Sequence, residues 1–382
     1  MSRAEIAIAG AYEHPTRWAP DKTSYQIAAE AAGGALAEAG LTFADVDGYA
    51  CSGVGPIGVL SMCHHLNLNP DWLDSTAIGG SSFVAQVLNA AAAIRDGLCR
   101  TVLITYGSTA ASDRFAVGTG GGTAGDPPDA FEGVYGPTVV GAYAMVAQRH
   151  MHQYGTTSAQ LAEIAVTMRR HAGMNPQAKY RDPITVEDVL ASRTISSPLH
   201  LLDCCVISDG GGALVVTSEE RARDLKTSPV RVLGGGIAAR HSGIGERDIS
   251  DIAARQSGKR AFERTGISRS DVDLCMIYDS FTITVLSTLE NLGFCEPGEG
   301  GAFVQGGRIG LGGVLPTNLD GGGLSSNHPG MRGMFLVIEA TRQLRGECGD
   351  RQVAGAEIAL CHGTGGFLGI QHSGATLILG RT

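Results

Sequence analysis

Two short stretches set 226 residues apart constrain this chain more than any other feature. Ala39-Gly40-Leu41-Thr42-Phe43-Ala44-Asp45-Val46-Asp47 is echoed by Thr265-Gly266-Ile267-Ser268-Arg269-Ser270-Asp271-Val272-Asp273, with the same spacing from glycine to Asp-Val-Asp. Each copy follows a helix-like stretch and precedes a short apolar run. A second echo links Ala92-Ala93-Ile94-Arg95-Asp96-Gly97 to Ala340-Thr341-Arg342-Gln343-Leu344-Arg345-Gly346. Self-similarity at a fixed offset is the mark of duplicated units. Two similar halves follow, residues 1–226 and 227–382, the first carrying a long insertion at about 108–208.

The pattern inside each half is layered α/β. Strand-like runs are Glu5 to Gly10, Arg100 to Tyr106, Gly212 to Thr217, Val230 to Leu233, Leu274 to Tyr278, Ile358 to Cys361 and Thr376 to Leu379. Helical periodicity separates them at Ser24 to Glu38, Phe83 to Arg95, Gln160 to His171 and Gly333 to Leu344. Several strands are apolar without alternation, as expected when helices cover both faces of a sheet. The 55 glycines cluster between apolar runs, where tight turns and close backbone approach need them.

Composition narrows the class. With 43% hydrophobic and 18% charged residues the chain can bury a large core. A net charge of -9 argues against nucleic acid or an anionic membrane as partner. No run of about 18 apolar residues suggests a membrane span, and no signal-peptide core opens the sequence. The nine cysteines form no CxxC pairs, which fits a reduced, cytoplasmic protein without a metal centre.

The repeat also locates chemistry. Counting 17 residues back from Gly97 and Gly346 reaches Gly80 and Pro329. Gly79-Gly80-Ser81-Ser82 and Asn327-His328-Pro329-Gly330 are therefore expected at matching helix N-termini, where free N–H groups favour developing negative charge. Three further segments gather proton-transfer groups: Tyr278-Asp279-Ser280-Phe281-Thr282, the glycine-rich run Gly321 to Gly330, and Cys361-His362-Gly363-Thr364-Gly365-Gly366. Open α/β folds place ligands at the carboxyl ends of strands. Tyr278, His328 and Cys361 are the candidate acid/base groups. The bland alternatives are a rim tyrosine, a capping histidine and a buried small thiol; His362 reads as a structural partner and Asp279 as an orienting carboxylate. Gly53 to Gly58 matches GxGxxG, but Pro56 fits a nucleotide loop poorly. No GxSxG elbow occurs, and Cys63-His64-His65 lacks the second ligand pair of a zinc site. Gly118 to Gly125 reads as a loop over the site.

These segments together resemble the thiolase superfamily over the full length. The glycine-bounded His328-Pro329-Gly330 turn and the Cys361-His362-Gly363 segment are similar to that family's motifs. Leu202-Asp203-Cys204-Cys205, Ser208-Asp209-Gly210, Thr217 to Ala222, Tyr154-Gly155 and Asn175-Pro176-Gln177-Ala178 strengthen the likeness. Tyr278-Asp279-Ser280-Phe281 looks like the motif of the sterol-carrier-protein-X thiolases and the bacterial lipid-transfer-protein/thiolase group, which includes steroid side-chain aldolases.

The resemblance implies two βαβαβαββ halves in a five-layer αβαβα sandwich, a cytoplasmic homodimer, and an acyl-CoA thioester as substrate. Coenzyme A enters only as part of that substrate, with no permanently bound cofactor. It also implies a separately encoded small partner with an OB fold and a zinc ribbon. His328 falls in the catalytic histidine segment, Cys361 at the acid/base cysteine, and Tyr278 where the aldolases carry a catalytic tyrosine. Gly80, Ser81, Asn327 and Gly363 fall in the turns that face substrate and oxyanion.

One departure redirects the chemistry. The family's nucleophilic cysteine belongs at the first-half helix start, and here that turn is Gly80-Ser81-Ser82-Phe83, with no cysteine between Cys63 and Cys99. Without a thiolate the acyl-enzyme route loses its nucleophile. Retro-aldol cleavage of a β-hydroxyacyl-CoA needs none, so the expected activity is C–C cleavage. The alternatives are acyl transfer through Ser81 or Ser82 and noncatalytic binding of an acyl-CoA or lipid. A second departure is Asn327-His328-Pro329 itself, a segment in which the steroid aldolases carry a tyrosine.

Overall fold

The computed structural model describes residues 4–53, 57–114, 138–243 and 246–382. The Gly118 to Gly125 stretch and Val54 to Pro56 of the GxGxxG match lie outside the described residues. The described strands are β1 (Ile6–Glu13), β2 (Gly48–Cys51), β3 (Trp72–Asp74), β4 (Thr101–Ser108), β5 (Thr194–Ser196), β6 (Leu199–His200), β7 (Gly210–Ser218), β8 (Val230–His241), β9 (Leu274–Ile277), β10 (Ile358–Phe367) and β11 (Gln371–Arg381). The α-helices are α1 (Ser24–Ala39), α2 (Gly58–Leu66), α3 (Ser82–Arg95), α4 (Val139–Tyr154), α5 (Ser158–Met174), α6 (Val186–Ala191), α7 (Glu219–Ala222), α8 (Ala253–Thr265), α9 (Thr282–Leu292), α10 (Gly300–Val304) and α11 (Gly333–Arg345). Among the described residues no helix is long and apolar enough to cross a membrane.

The strand order β3-β2-β4-β7-β1-β8-β11-β10-β9 reads the same from either end, apart from β3. In each half a short strand runs parallel to the next, β2 to β4 and β9 to β10, and antiparallel pairs follow. The halves join where β1 pairs β8 at Ala7↔Arg231 and Ile8↔Val230. The partner of β3 in the second half shrinks to one parallel bridge, Cys275↔Thr317.

The repeated carboxylates do identical work in both copies. Asp45 and Asp271 accept the Thr42 and Ser268 backbone N–H at 2.9 and 2.8 Å, closing matching 3-10 turns. Asp47 accepts the Thr101 N–H at 2.7 Å, and Asp273 accepts the Ile358 N–H at 2.8 Å. Each thereby satisfies the first donor of the neighbouring strand. Gly40 and Gly266 end the preceding helices at φ 76 and 69, where the left-handed backbone favours glycine.

Helices α1 and α8 cover the outer faces, and α3 and α11 pack against each other between the two half-sheets. The result is a five-layer αβαβα sandwich. Phe83, Val84, Val87, Met334, Phe335, Leu336 and Val337 of the two central helices are all at most 1% exposed.

Two sequence expectations shift. The central helices start at Ser82 and Gly333, two and four residues later than the repeat count places them. A 3-10 turn over Gly79–Ser81 leads directly into the first helix, and Gly330 (φ 90) holds left-handed backbone before the second. Strands β8 and β10 run well past Leu233 and Cys361. Their glycine tails are not turns. A Cβ at Gly236 would lie 2.5 Å from the Ser257 carbonyl, so the residues continue as strand because helix backbone presses on them.

Candidate active site

The carboxyl end of β9 and the turn before α11 meet between the half-sheets. Tyr278 continues β9, donating its N–H to the His362 carbonyl at 2.9 Å. His328 sits on the Asn327-His328-Pro329-Gly330 turn and donates its backbone N–H to Ser208 Oγ at 3.0 Å. Tyr106 Oη donates to the Pro329 carbonyl and accepts the Met331 N–H at 3.1 Å, fixing the far side of the turn. Tyr278 Oη and His328 Nε2 lie 2.8 Å apart, with the rings edge to face.

Both side chains are neutral at physiological pH. Burial pushes the Tyr278 phenol well above its usual range. Burial, followed by the Arg332 charge, takes the His328 imidazole down to about 4. His328 Nδ1 is buried with no hydrogen-bond partner among the described residues. Orphaned buried polar atoms are rare, and each calls for a reason such as strain, a catalytic role or a bound water.

Gly80 lies directly against this pair. A Cβ there would stand 2.5 Å from Tyr278 Cζ and 2.5 Å from the Thr364 carbonyl oxygen, and closer still to Tyr278 Cε2. The phenol ring fills the space a side chain at position 80 would occupy. A Cβ at Gly333 would collide with the Gly80 carbonyl, so the α11 start closes on the same point.

The other expected residues divide. Gly363 faces the site: a Cβ there would lie 2.8 Å from Ser81 Cα and 3.1 Å from the Gly80 carbonyl. Ser81 is buried, but its Oγ donates to the Ile78 carbonyl at 2.9 Å and meets Ser373 Oγ at 2.6 Å. Ser82 Oγ is likewise held, by the Gly79 carbonyl and the Ile78 N–H. Neither hydroxyl bonds an imidazole or a carboxylate among the described residues. The Asn327 side chain is engaged within the protein, donating to Glu13 Oε1 at 2.6 Å and accepting from Arg332 Nη1 at 2.6 Å.

Cys361 lies two residues before Gly363 on the same face of β10, paired in register with Met276, two residues before Tyr278. Its thiol bonds the Leu336 carbonyl at 3.5 Å, and burial pushes it up, leaving it protonated. His362 points the other way, to Thr376 Oγ1 at 2.9 Å, with its imidazole taken down to about 3 by burial.

Asp279 orients rather than reacts. Its carboxylate accepts the Gly323 and Leu324 N–H groups at 2.7 and 3.2 Å, shaping the glycine turn that leads to His328. A Cβ at Gly322 would collide with that carboxylate. Burial lifts Asp279 to about 6 against the pull of Arg332. Sequence reasoning misses Arg332, Asp320, Glu13 and Tyr106. The available signal was an arginine two residues after a Pro-Gly turn, inside an otherwise apolar helix start.

A family model described as thiolase C-terminal domain-like matches residues 244–381. The steroid side-chain-cleaving aldolase of Thermomonospora curvata is 35% identical over 95% of each chain. The acetyl-CoA acetyltransferase of Methanothermobacter thermautotrophicus is 33% identical over 95% of this chain and 96% of its own. The solved structure of an Ltp2-ChsH2(DUF35) aldolase superposes with a TM-score of 0.88 at 32% identity, covering 99% of this chain and 98% of that one. Human mitochondrial 3-ketoacyl-CoA thiolase shares the fold at a TM-score of 0.73 and 14% identity over the whole of both chains.

Proposed function

The chain belongs to the thiolase superfamily, and from that premise we propose that it is an acyl-CoA lyase that cleaves a β-hydroxyacyl-CoA by a retro-aldol step. One observation carries the reading. By the resemblance the superfamily's nucleophilic thiol falls at Gly80, and the ring of Tyr278 occupies the room a side chain there would need.

The pair then does the proton work. In the tautomer that leaves His328 Nε2 as acceptor, Tyr278 donates to it and Nδ1–H is free for the thioester oxygen. The substrate hydroxyl gives its proton to Tyr278 Oη as Tyr278 gives its own to Nε2. The Cα–Cβ bond breaks, leaving a carbonyl product and a thioester enolate. The imidazolium formed at that moment strengthens the Nδ1 hydrogen bond to the enolate oxygen. The proton returns through the pair to Cα, yielding the shortened acyl-CoA. No acyl-enzyme and no free CoA are required. Cys361, its thiol bonded to the Leu336 carbonyl, is a reserve acid at most, so the reprotonation assigned to it by resemblance passes to the pair.

The acetyltransferase relative favours a second reading, acyl transfer. The engaged hydroxyls of Ser81 and Ser82 speak against it, since a serine nucleophile needs an adjacent base. The steroid-cleaving relative supports a bulky acyl group. The DUF35 component of the Ltp2-ChsH2 aldolase supports a DUF35 partner here, the separately encoded OB-fold and zinc-ribbon protein. A homodimer is part of the same reading.

Product analysis by mass spectrometry tests it. The enzyme is incubated with β-hydroxyacyl-CoA and β-ketoacyl-CoA thioesters, with and without CoA. A carbonyl compound plus a shorter acyl-CoA, formed without free CoA, is the expected result. Cleavage of ketoacyl substrates only when CoA is added would establish a thiolase instead.

A further inference from the structure

Tyr278 and His328 stand 50 positions apart in sequence on different elements, yet proton transfer between them depends on a 2.8 Å separation. Both are flanked by residues that meet a single side chain. Arg332 Nε lies 3.2 Å from Oδ1 of Asp279, the residue after Tyr278. Arg332 Nη1 donates to Oδ1 of Asn327, the residue before His328, at 2.6 Å, and to the Asn327 carbonyl at 3.1 Å. The third nitrogen, Nη2, donates to Asp320 Oδ2 at 2.5 Å. The guanidinium is 0% exposed, so every one of these contacts is shielded from water.

We propose that Arg332 is the positioning residue that holds Tyr278 and His328 in register, by gripping the neighbour of each at once. The inference rests on the reading of that pair as the proton-transfer machinery. A planar guanidinium presents its donors in fixed directions, so Nη1 and Nη2, bonded to Asn327 and Asp320, set the plane in which Nε faces Asp279 as an ion pair, with no hydrogen bond among the described residues. Two carboxylates, Asp279 and Asp320, compensate its buried charge, and Glu13 completes Asn327 from the other side. A fold that needed only neutral packing here would do as well with apolar residues of similar volume, because buried ion clusters add little net stability. What the cluster supplies is geometry, and a displacement of about 1 Å at reacting groups lowers rates about 100-fold.

Three variants of the full chain test this, assayed with whichever β-hydroxyacyl-CoA thioester the product panel shows to be cleaved, folding being checked by circular dichroism. Arg332→Lys keeps the charge but cannot span Asp279 and Asn327; kcat falls about 100-fold while KM stays within about threefold. Asn327→Ala removes the side-chain acceptor of Arg332 Nη1 together with the Glu13 contact, leaves the bond to the Asn327 carbonyl, and lowers kcat at least about tenfold. Added to Tyr278→Phe, Arg332→Lys brings no further loss, because both act through one pair. Wild-type kcat in Arg332→Lys and Asn327→Ala would overturn the proposal, as would a full additional 100-fold loss on the Tyr278→Phe background. If Arg332→Lys does not fold, Asn327→Ala decides alone. Full turnover by Tyr278→Phe would instead remove the proton-transfer reading on which the proposal stands, a result distinct from failure of Arg332 alone.

Discussion

Consider Gly80→Cys, the substitution that puts back the thiol the rest of the superfamily's chemistry calls for. Carbon atoms pack at about 3.5–4.0 Å, so a Cβ at 2.5 Å from both Tyr278 Cζ and the Thr364 carbonyl, and closer still to Tyr278 Cε2, must displace something by more than about 1 Å. Thr364 is held in the β10–β11 ladder opposite Gly374, which leaves the ring to move. Overpacking of this kind costs about 1–3 kcal/mol, and two close partners place it at the upper end. A ring pushed aside by that much also stretches the 2.8 Å bond to His328 beyond hydrogen-bonding distance. The expected result is loss of about 3 kcal/mol in urea unfolding and at least about a 100-fold fall in kcat, with no thiolase activity gained. Gly80→Ala does the same without a thiol. Gly80→Cys combined with Tyr278→Asn removes the ring and leaves only the Thr364 contact, so the pair recovers at least about 1 kcal/mol relative to the summed single changes. An additive cycle, or a Gly80→Cys protein with wild-type unfolding midpoint and kcat, would refute the claim that the ring occupies the nucleophile's place.

Tyr278→Phe keeps the packing and removes the proton carrier; kcat falls about 10²–10⁴-fold with little change in KM, and unchanged turnover would dismiss the tyrosine as base. Cys361→Ala keeps kcat within about threefold and loses about 1–2 kcal/mol through packing; a 100-fold loss of kcat would restore the thiol as the acid that protonates Cα. Stability falls as pH drops from about 6.5 to 4. His328, His362 and His372 are taken down to about 4, 3 and 4 in the fold, chiefly by burial. Their folded values lie below the unfolded one, so the unfolded chain binds more protons in that window, each histidine contributing up to about 3 kcal/mol. Asp279, raised to about 6, works in the opposite sense, its contribution present at low pH and lost above about 6. Urea midpoints that stay flat or rise on acidification would contradict the net sign.

The halves of the fold were legible because the repeat carries its own physics. Asp47 and Asp273 cap strands through their own carboxylates, and Gly40 and Gly266 end helices through backbone conformation; such local roles leave a fixed spacing in the chain. The strand ends were not legible, because a glycine that permits close packing is the same letter as a glycine that permits a turn. At the site, Tyr278 and His328 were readable as chemistry-bearing residues at element ends, and Gly80 as a missing cysteine. Their contact was not, since three segments far apart in sequence meet there. Arg332 left only its place after the Pro-Gly turn as a local signal. An arginine at a helix start reads as a surface residue, and its burial depends on Asp279, Asp320 and Asn327 arriving from two other turns.

Two relatives of different activity lie about equally near this chain, an acetyltransferase at 33% identity and an aldolase at 35%. On the proposed mechanism, reaction type turns on a single volume beside the α3 start. If a thiol fills that volume, a phenol ring cannot, and acyl transfer has its nucleophile. If the ring of Tyr278 fills it, the thiol is excluded sterically and the phenol meets His328 instead. The glycine at 80 and the tyrosine at 278 are thus one structural choice made at two distant positions. That is why neither substitution alone can be expected to convert the chemistry, and why the cycle joining them is the decisive measurement.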